Sequence, residues 1–449
     1  MILQSAEAME APGPSTEERN RSLQAEIQRL RRDRQRLRQT VSFRLGLHLT
    51  TAVRRPWRLL ALPVSFPWLA FRLGLERLGR TPALLPDVDL MEKERSKSVV
   101  LFPTNGVGFG HFTRMYALAK RLREADSELE IVFFTTMPTL HIPYADNFPT
   151  YHLAGRGKHQ ALEPSTWNGL VEDMLHMVLD VHRPGVFVFD GAFPYRGMLN
   201  AILQESNMHR IWVRRGMFRE GSSIPVDSIS CFDLLVRPGD ALPPSLDGIE
   251  VGTAQLEVET MLLIEPDDML DRVVARRRLG LPLNARAVYV QLGAGRINDI
   301  ESEVRRVVDA LHKQPDVHVV LGESMLGERL DVGLDRIHLL RDYPNSLYLK
   351  AFDASVQAGG YNSFHEMRSI RIPTLFLPNL STGMDDQVAR CTIAVDEGWG
   401  CVNLDRSSAS IAHDVEVLLS LQPQPLPAPE VNGAKSLASH VLSLFGEGA

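Results

Sequence analysis

From residue 98 onward the apolar positions fall in short runs, at 99–102, 130–135, 186–190, 210–213 and 231–236. A second series lies at 287–292, 317–321, 337–340, 353–357 and 400–404. Each run has the length of a buried strand, and most are followed by apolar residues three and four apart, the period of a helix. Such helical patterns start at His111 and run to 123, occupy 167–182, end at His312, begin at Ser363, and reach Leu419. Strands alternating with helices need crossover connections, so both series predict parallel sheets with right-handed βαβ units. An irregular stretch after Arg237-Pro238-Gly239 divides them. The expected fold class is therefore α/β, with one domain at 97–253 and a second at 254–430, residues 254–285 bridging into it. A Pro-rich run at 423–429 leads into a C-terminal segment, 431–449, with an apolar helix at 435–445.

The N-terminal part has other patterns. Residues 1–16 are acidic and Pro-containing, with no apolar core, and read as a tail and not as a cleavable signal. In 17–40, Leu23, Ile27, Leu30 and Leu37 keep a and d spacing, with Arg34 in the seam. That pattern fits a short coiled-coil helix, which would make a homodimer, or a solvated single helix. In 41–80, thirteen residues without charge, 59–71, are flanked by arginine and tryptophan. Thirteen is short of the roughly twenty needed to span a bilayer, and Pro63 and Pro67 are expected to interrupt the run. The segment reads as an amphipathic anchor lying on an anionic membrane face, with a helix packed on the catalytic body as the alternative. Residues 81–96 read as a linker; Asp87-Val88-Asp89 within it precedes the first strand and has no pocket context.

Charge sharpens this division. Residues 17–80 carry fifteen arginines, no lysine and five acidic residues, a balance of +10, which leaves −16 for the rest of a chain whose net charge is −6. An acidic body argues against nucleic acid as a partner, since the arginines are spread among long aliphatic residues and form no compact patch. Hydrophobic residues at 44% and charged residues at 23% are those of a globular protein. Cys231, Cys391 and Cys401 show no metal spacing and are odd in number, which suits a reducing compartment.

Three glycine turns carry the candidate chemistry. The first, Thr104-Asn105-Gly106-Val107-Gly108-Phe109-Gly110-His111, follows a strand and opens a helix, with Arg114 one turn on. Its spacing is not the dinucleotide fingerprint. A neutral imidazole at a helix N-terminus can accept a proton from a hydroxyl at physiological pH. His111 is thus a candidate base, or a residue that only hydrogen-bonds its loop. Asp190 ends a strand at the sheet edge where α/β ligands collect, and could orient His111 or cap a helix. Arg214-Arg215-Gly216 ends the next strand and could face an anionic acceptor. The second turn, Gly293-Ala294-Gly295-Arg296, offers Gly293 and Gly295 to phosphates. The third, Ala358-Gly359-Gly360-Tyr361-Asn362-Ser363, precedes a helix whose first amides and positive dipole end suit an anion. Glu366 lies a turn further in, where a carboxylate can accept from ribose hydroxyls. Ser363-x-x-Glu366 is also a capping box, which needs no ligand.

Gly360-Tyr361-Asn362-Ser363-x-x-Glu366, Pro373 and Asp386-Gln387 together resemble the donor signature of GT-B glycosyltransferases. The stretch is similar both to the plant secondary-product signature and to the C-terminal domain of glycosyltransferase family 28, and the loop ending in His111 resembles that family's first domain. The resemblance covers roughly residues 97–430 and is densest over 355–390. It implies two Rossmann-like domains facing across a cleft, preceded by the helical arm. It assigns nucleotide diphosphate contacts to Gly359, Gly360, Asn362 and Ser363, ribose to Glu366, and the donor sugar to Asp386 and Gln387. Gly108, Gly110 and Arg114 would form the acceptor loop. Ala358 stands where the plant signature has a phosphate-binding histidine, and His365 sits on a different turn of the helix. The implied activity is transfer of a sugar, uridine-linked by analogy, with no metal and no cofactor beyond the nucleotide sugar; inversion is expected from the His111 argument alone, and a lipid-linked or polysaccharide acceptor from the anchor alone. The anchor would hold such an enzyme on the cytoplasmic face of the membrane. A nucleotide-sugar epimerase on the same fold and a non-catalytic scaffold are the rival readings.

Overall fold

A computed structural model describes residues 40–54, 60–77, 95–104, 108–156, 162–205, 207–214, 228–242, 252–293, 300–322, 335–380, 385–422, 424–428 and 430–446. The chain forms two compact units, residues 1–93 and 94–449. The expected tail, nearly all of the coiled-coil segment and the linker motif at 87–89 lie outside the described residues.

In the first unit, α1 (Val41–Arg54) and α2 (Leu62–Arg77) pair, with His48 Nε2 2.9 Å from Ser65 Oγ. Pro63 and Pro67 do not interrupt the run as expected. Pro63 falls in the first turn, where a missing N–H costs nothing, and the helix continues through Pro67 with one backbone bond fewer. Val64, Trp68 and Phe71 are exposed along one face, and the Arg72 guanidinium lies 5.3 Å from the Trp68 ring centre.

The second unit holds two parallel sheets. The first contains β1 (Ser96–Pro103), β2 (Glu130–Thr135), β3 (Thr150–His152), β4 (Pro184–Asp190), β5 (His209–Val213), β6 (Leu234–Pro238) and β7 (Ala254–Val258). Helices α3 (Gly110–Ala125), α4 (His141–Ala145), α5 (Pro164–His182) and α6 (Arg196–Ile202) connect them, and the spatial order is β3-β2-β1-β4-β5-β6-β7. The second sheet follows α7 (Arg272–Arg278) and contains β8 (Arg286–Gln291), β9 (Val317–Gly322), β10 (Ile337–Leu340), β11 (Ala354–Gln357), β12 (Thr374–Phe376) and β13 (Gly400–Val402). Its order is β10-β9-β8-β11-β12-β13, with helices α8 (Ile300–His312), α9 (Tyr361–Ile370), α10 (Gln387–Asp396) and α11 (Ser408–Ser420). Both sheets are covered on both faces by apolar clusters, as their near-continuous apolar strands require.

Two expectations need correcting. Residues 254–258, placed by sequence at the start of the second domain, are the seventh strand of the first sheet, in register with β6 (Leu234↔Ala254 to Pro238↔Val258). The strand expected at 231–236 begins three residues later. Cys231 closes a short 3-10 turn, and the Asp233 carboxylate accepts from the Arg210 amide at the strand's entrance. The last helix, α12 (Gly433–Ser443), returns to the first sheet, where Ala434, Leu437, Ala438 and Val441 join the cluster under α3. Asn432 fixes that return. Its side-chain oxygen accepts from Ala434 N, and its nitrogen donates to the Leu262 carbonyl at 2.8 Å.

Each sheet reverses its strand order once. In the first sheet β1 lies between β2 and β4, and in the second β8 lies between β9 and β11. Loops leave such a point in opposite directions and open a crevice at the carboxyl ends of the strands, where α/β proteins hold ligands.

Candidate active site

The first crevice receives His111 and Asp190. Pro103 at the end of β1 is in register with Asp190 at the end of β4, so the loop after β1 brings His111, second residue of α3, above that carboxylate. His111 Nδ1 lies 2.6 Å from Asp190 Oδ1. Arg114 takes the same carboxylate side-on, with Nε 2.9 Å from Oδ2 and Nη2 2.6 Å from Oδ1. Arg114 and Asp190 are buried, while the His111 side chain keeps 18% of its surface exposed. Burial alone would raise the Asp190 carboxyl; the Arg114 guanidinium and His111 outweigh it and hold it below the ordinary carboxylate value. An ionised carboxylate only accepts, so at 2.6 Å the Nδ1 of His111 carries the proton and donates. The lone pair is then on Nε2.

The second crevice receives the third glycine turn. Gly359 adopts φ +78°, and a Cβ there would meet Cys391 Sγ at 2.3 Å, so the fold itself demands glycine. Gly360 is different, because a Cβ on it would meet only Ser363 Oγ at 3.8 Å. The capping-box reading fails here. The helix begins at Tyr361, not at Ser363, and the Ser363 hydroxyl donates to the Gly360 carbonyl at 3.1 Å instead of accepting an amide. The N-cap residue Gly360 makes no side-chain cap bond.

Glu366, one turn in, is half-buried, and burial pushes its carboxyl up to about 7, with the Ser346 hydroxyl easing it downward. Gly293, at φ +102°, follows β8, whose Gln291 is in register with Gln357 of β11. Gly295 lies outside the described residues, as do Gly106, Arg215 and Gly216.

The two crevices meet. Asn362 Nδ2 donates to the Gly110 carbonyl at 3.4 Å, the Tyr343 and Thr113 hydroxyls are 3.0 Å apart, and the Arg114 guanidinium carbon lies 5.3 Å from the Tyr361 ring centre. His111, Arg114, Asp190, Gly110, Asn362 and Tyr361 thus form one constellation.

Asp386 and Gln387 are placed otherwise. Asp386 caps α10, accepting from Ala389 N at 2.9 Å, and the Gln387 side chain accepts from Asn379 N and donates to Asp385 Oδ2. Both side chains hold local structure. Their neighbours form a network that sequence reasoning missed. Asp240, just past β6, accepts from Arg390 Nε at 2.9 Å and Nη2 at 2.8 Å, and His365 Nε2 lies 3.0 Å from it. Arg390 also donates to Asp385 at 2.7 Å. Burial would raise the Asp240 carboxyl, but His365 and Arg390 hold it far below the usual range. His365 is buried in this network and turned to the first sheet's edge. Tyr361 adds a bond from its hydroxyl to the Gly239 carbonyl at 2.8 Å. Among the described residues no group of three or more His, Cys, Asp or Glu is arranged to hold a metal ion.

No family model and no curated protein matches the sequence. Solved structures do match the shape. MurG of Acinetobacter baumannii aligns with a TM-score of 0.51 at 13% identity over 78% of this chain and 100% of that one. The UDP-GlcNAc 2-epimerase of Methanocaldococcus jannaschii aligns at 0.52 and 12% identity, over 77% and 99%. CalG4, the calicheamicin glycosyltransferase, aligns at 0.51 and 16% identity, over 78% and 99%. The fold is GT-B. The two sheets of this GT-B protein are its Rossmann-like halves, and the constellation above lies where the crevices of the two sheets meet.

Proposed function

We propose that the protein is a glycosyltransferase using a nucleotide-diphosphate sugar. The observation that carries the reading is the 3.4 Å contact between Asn362 and the Gly110 carbonyl, which sets an uncapped helix N-terminus beside the helix that bears His111. The diphosphate would lie on the amides of α9, with Gly360 leaving room for it, Gly293 and Gly359 shaping the turns, and Asn362 and Ser363 offering polar contacts. Glu366 would accept from the ribose hydroxyls. The donor sugar would lie toward Asp385, Asp386 and Gln387. His111 Nε2 would take the proton of the acceptor hydroxyl as its oxygen bonds to the anomeric carbon. The bond from that carbon to the diphosphate breaks, and the leaving oxygen keeps the electron pair. The amides at the start of α9 would stabilise its growing charge. One in-line displacement inverts the anomeric centre.

The finer reading is a uridine-linked hexose or N-acetylhexosamine and a lipid-linked or polysaccharide acceptor, met on the cytoplasmic face of the membrane. Its support is the exposed face of Val64, Trp68 and Phe71 in a segment, 41–80, with seven arginines and one acidic residue. Among the described residues no helix is long and apolar enough to cross a membrane.

The test is a thermal-shift screen of the full chain against uridine, thymidine and guanosine diphosphates and their sugars. Ligand at a hundred times its Kd stabilises by about 2.7 kcal/mol. A shift lost in Glu366→Ala supports the site, and no shift with any nucleotide refutes it. Conversion of the nucleotide sugar without an acceptor would assign an epimerase instead.

A further inference from the structure

Within the constellation, Arg114 is 2% exposed; its Nε and Nη2 both donate to Asp190, and Nη2 reaches the Nδ1 side of His111 as well. A His–Asp pair alone could orient an imidazole, so the reason for a buried guanidinium must lie in the carboxylate. We propose that Arg114 is a positioning residue that fixes the tautomer of His111, by keeping Asp190 an acceptor. The inference rests on the base role given to His111 above.

The argument runs through one proton. Asp190 is fully buried at the end of an all-buried, apolar strand, where a carboxyl without a cation would take up a proton. A protonated Asp190 would turn from acceptor to donor. Its O–H would point at the atom 2.6 Å away, which is His111 Nδ1. The imidazole would then carry its proton on Nε2, facing the crevice, and have no lone pair for an acceptor hydroxyl. Arg114 prevents this by filling Oδ2 with its Nε–H and sharing Oδ1 with its Nη2–H. Its Nη2 also lies 2.9 Å from Nδ1, where it could donate only to a lone pair, but the 2.6 Å contact from Nδ1 to Oδ1 is shorter and charge-assisted, so the carboxylate decides where the ring proton sits. The groups around the pair share this balance: Asp385 adds to the field on Arg114, Tyr361 covers the guanidinium face from α9, and Asn362 reaches the Gly110 carbonyl beside His111.

The experiment is nitrogen-15 NMR of the full chain labelled at histidine, with the His111 signals assigned by their loss in His111→Gln. Wild type is expected to show the Nδ1–H form of His111 in excess by about tenfold or more, the weight of one hydrogen bond to a charged group. In Arg114→Met the excess should shift to the Nε2–H form, and in Arg114→Lys, which keeps the charge but not the fork, it should stay with Nδ1–H. Should Arg114→Met not fold, Arg114→Gln, which is neutral but closer in shape and polarity and leaves Asp190 in place, is expected to show the same shift toward Nε2–H. An Nδ1–H form unchanged in either neutral variant overturns the inference. The readout needs no sugar donor. A wild type with Nδ1–H and no nucleotide binding would refute the proposed function and leave the positioning role standing.

Discussion

Glu366 is a carboxylate whose burial costs the fold stability. Among the described residues no cation pairs with it, and burial lifts its carboxyl from an ordinary 4.5 to about 7. Below about pH 4.5 the side chain is neutral both folded and unfolded, and its charge has no effect on stability. Between 4.5 and 7 the unfolded chain ionises it and the folded chain does not, so stability falls as pH rises. Above 7 both forms are ionised and the loss is complete. At about 1.4 kcal/mol per unit, with allowance for water reaching a half-buried group, the cost above pH 7 is about 2–3 kcal/mol. Glu366→Gln removes the charge with almost no change of shape. Urea unfolding followed by tryptophan fluorescence should find the variant equal to wild type near pH 4.5 and about 2–3 kcal/mol more stable at pH 8. The same variant should lose the thermal shift given by a nucleotide sugar. If Glu366→Gln is no more stable than wild type at pH 8, the carboxylate has a compensating partner and the reasoning fails.

Other perturbations separate fold from site. Asp240→Ala leaves Arg390 buried with Asp385 as its remaining carboxylate, and should cost about 3 kcal/mol at pH 7, the lower end for a broken buried pair. Because the Asp240 carboxyl is depressed in the folded state, its contribution is full above about pH 4 and shrinks below, so the difference from wild type should narrow in acid. Gly359→Ala must strain a positive φ and displace Cys391, and should cost about 2–4 kcal/mol by thermal melting. Gly360→Ala makes only an ordinary contact with the Ser363 hydroxyl and should melt within about 1 kcal/mol of wild type, yet lose nucleotide binding. His111→Ala should retain nucleotide binding and lower any sugar transfer by about a hundredfold or more. Deleting residues 1–80 should abolish sedimentation with phosphatidylglycerol vesicles; unchanged sedimentation would remove the anchor.

Much of this was legible because the local signals were strong. Runs such as Val186 to Asp190 are apolar at every position up to a polar end, and a glycine turn follows both β8 and β11, so strand ends and helix starts could be read directly. The parallel pairing that sets Asp190 beside the loop after β1 follows from alternation alone. The failures have local causes too. β7 is an edge strand of five residues with mostly exposed side chains, and β3 and β12 are three residues long, too short to show a period. Asp386 and Gln387 sit where a signature puts sugar contacts, yet as the first residues at a helix start they are also the natural cap, and the cap is formed. The network of Asp240, His365 and Arg390 left no trace in the sequence, since its members are 125 and 150 residues apart and meet only when the sheets do.

The return of α12 has a consequence for synthesis. The cluster beneath α3 is built from residues that emerge early, Val99 to Leu263, and from four that emerge last, Ala434 to Val441. While a ribosome is still making the second sheet, the first has all its strands but lacks the helix that closes one of its apolar faces. That half must wait, partly open, for about 170 residues of chain between Leu263 and Ala434. Chain order and folding order therefore differ in this molecule, and a nascent chain stalled before residue 430 would present its unfinished face to chaperones.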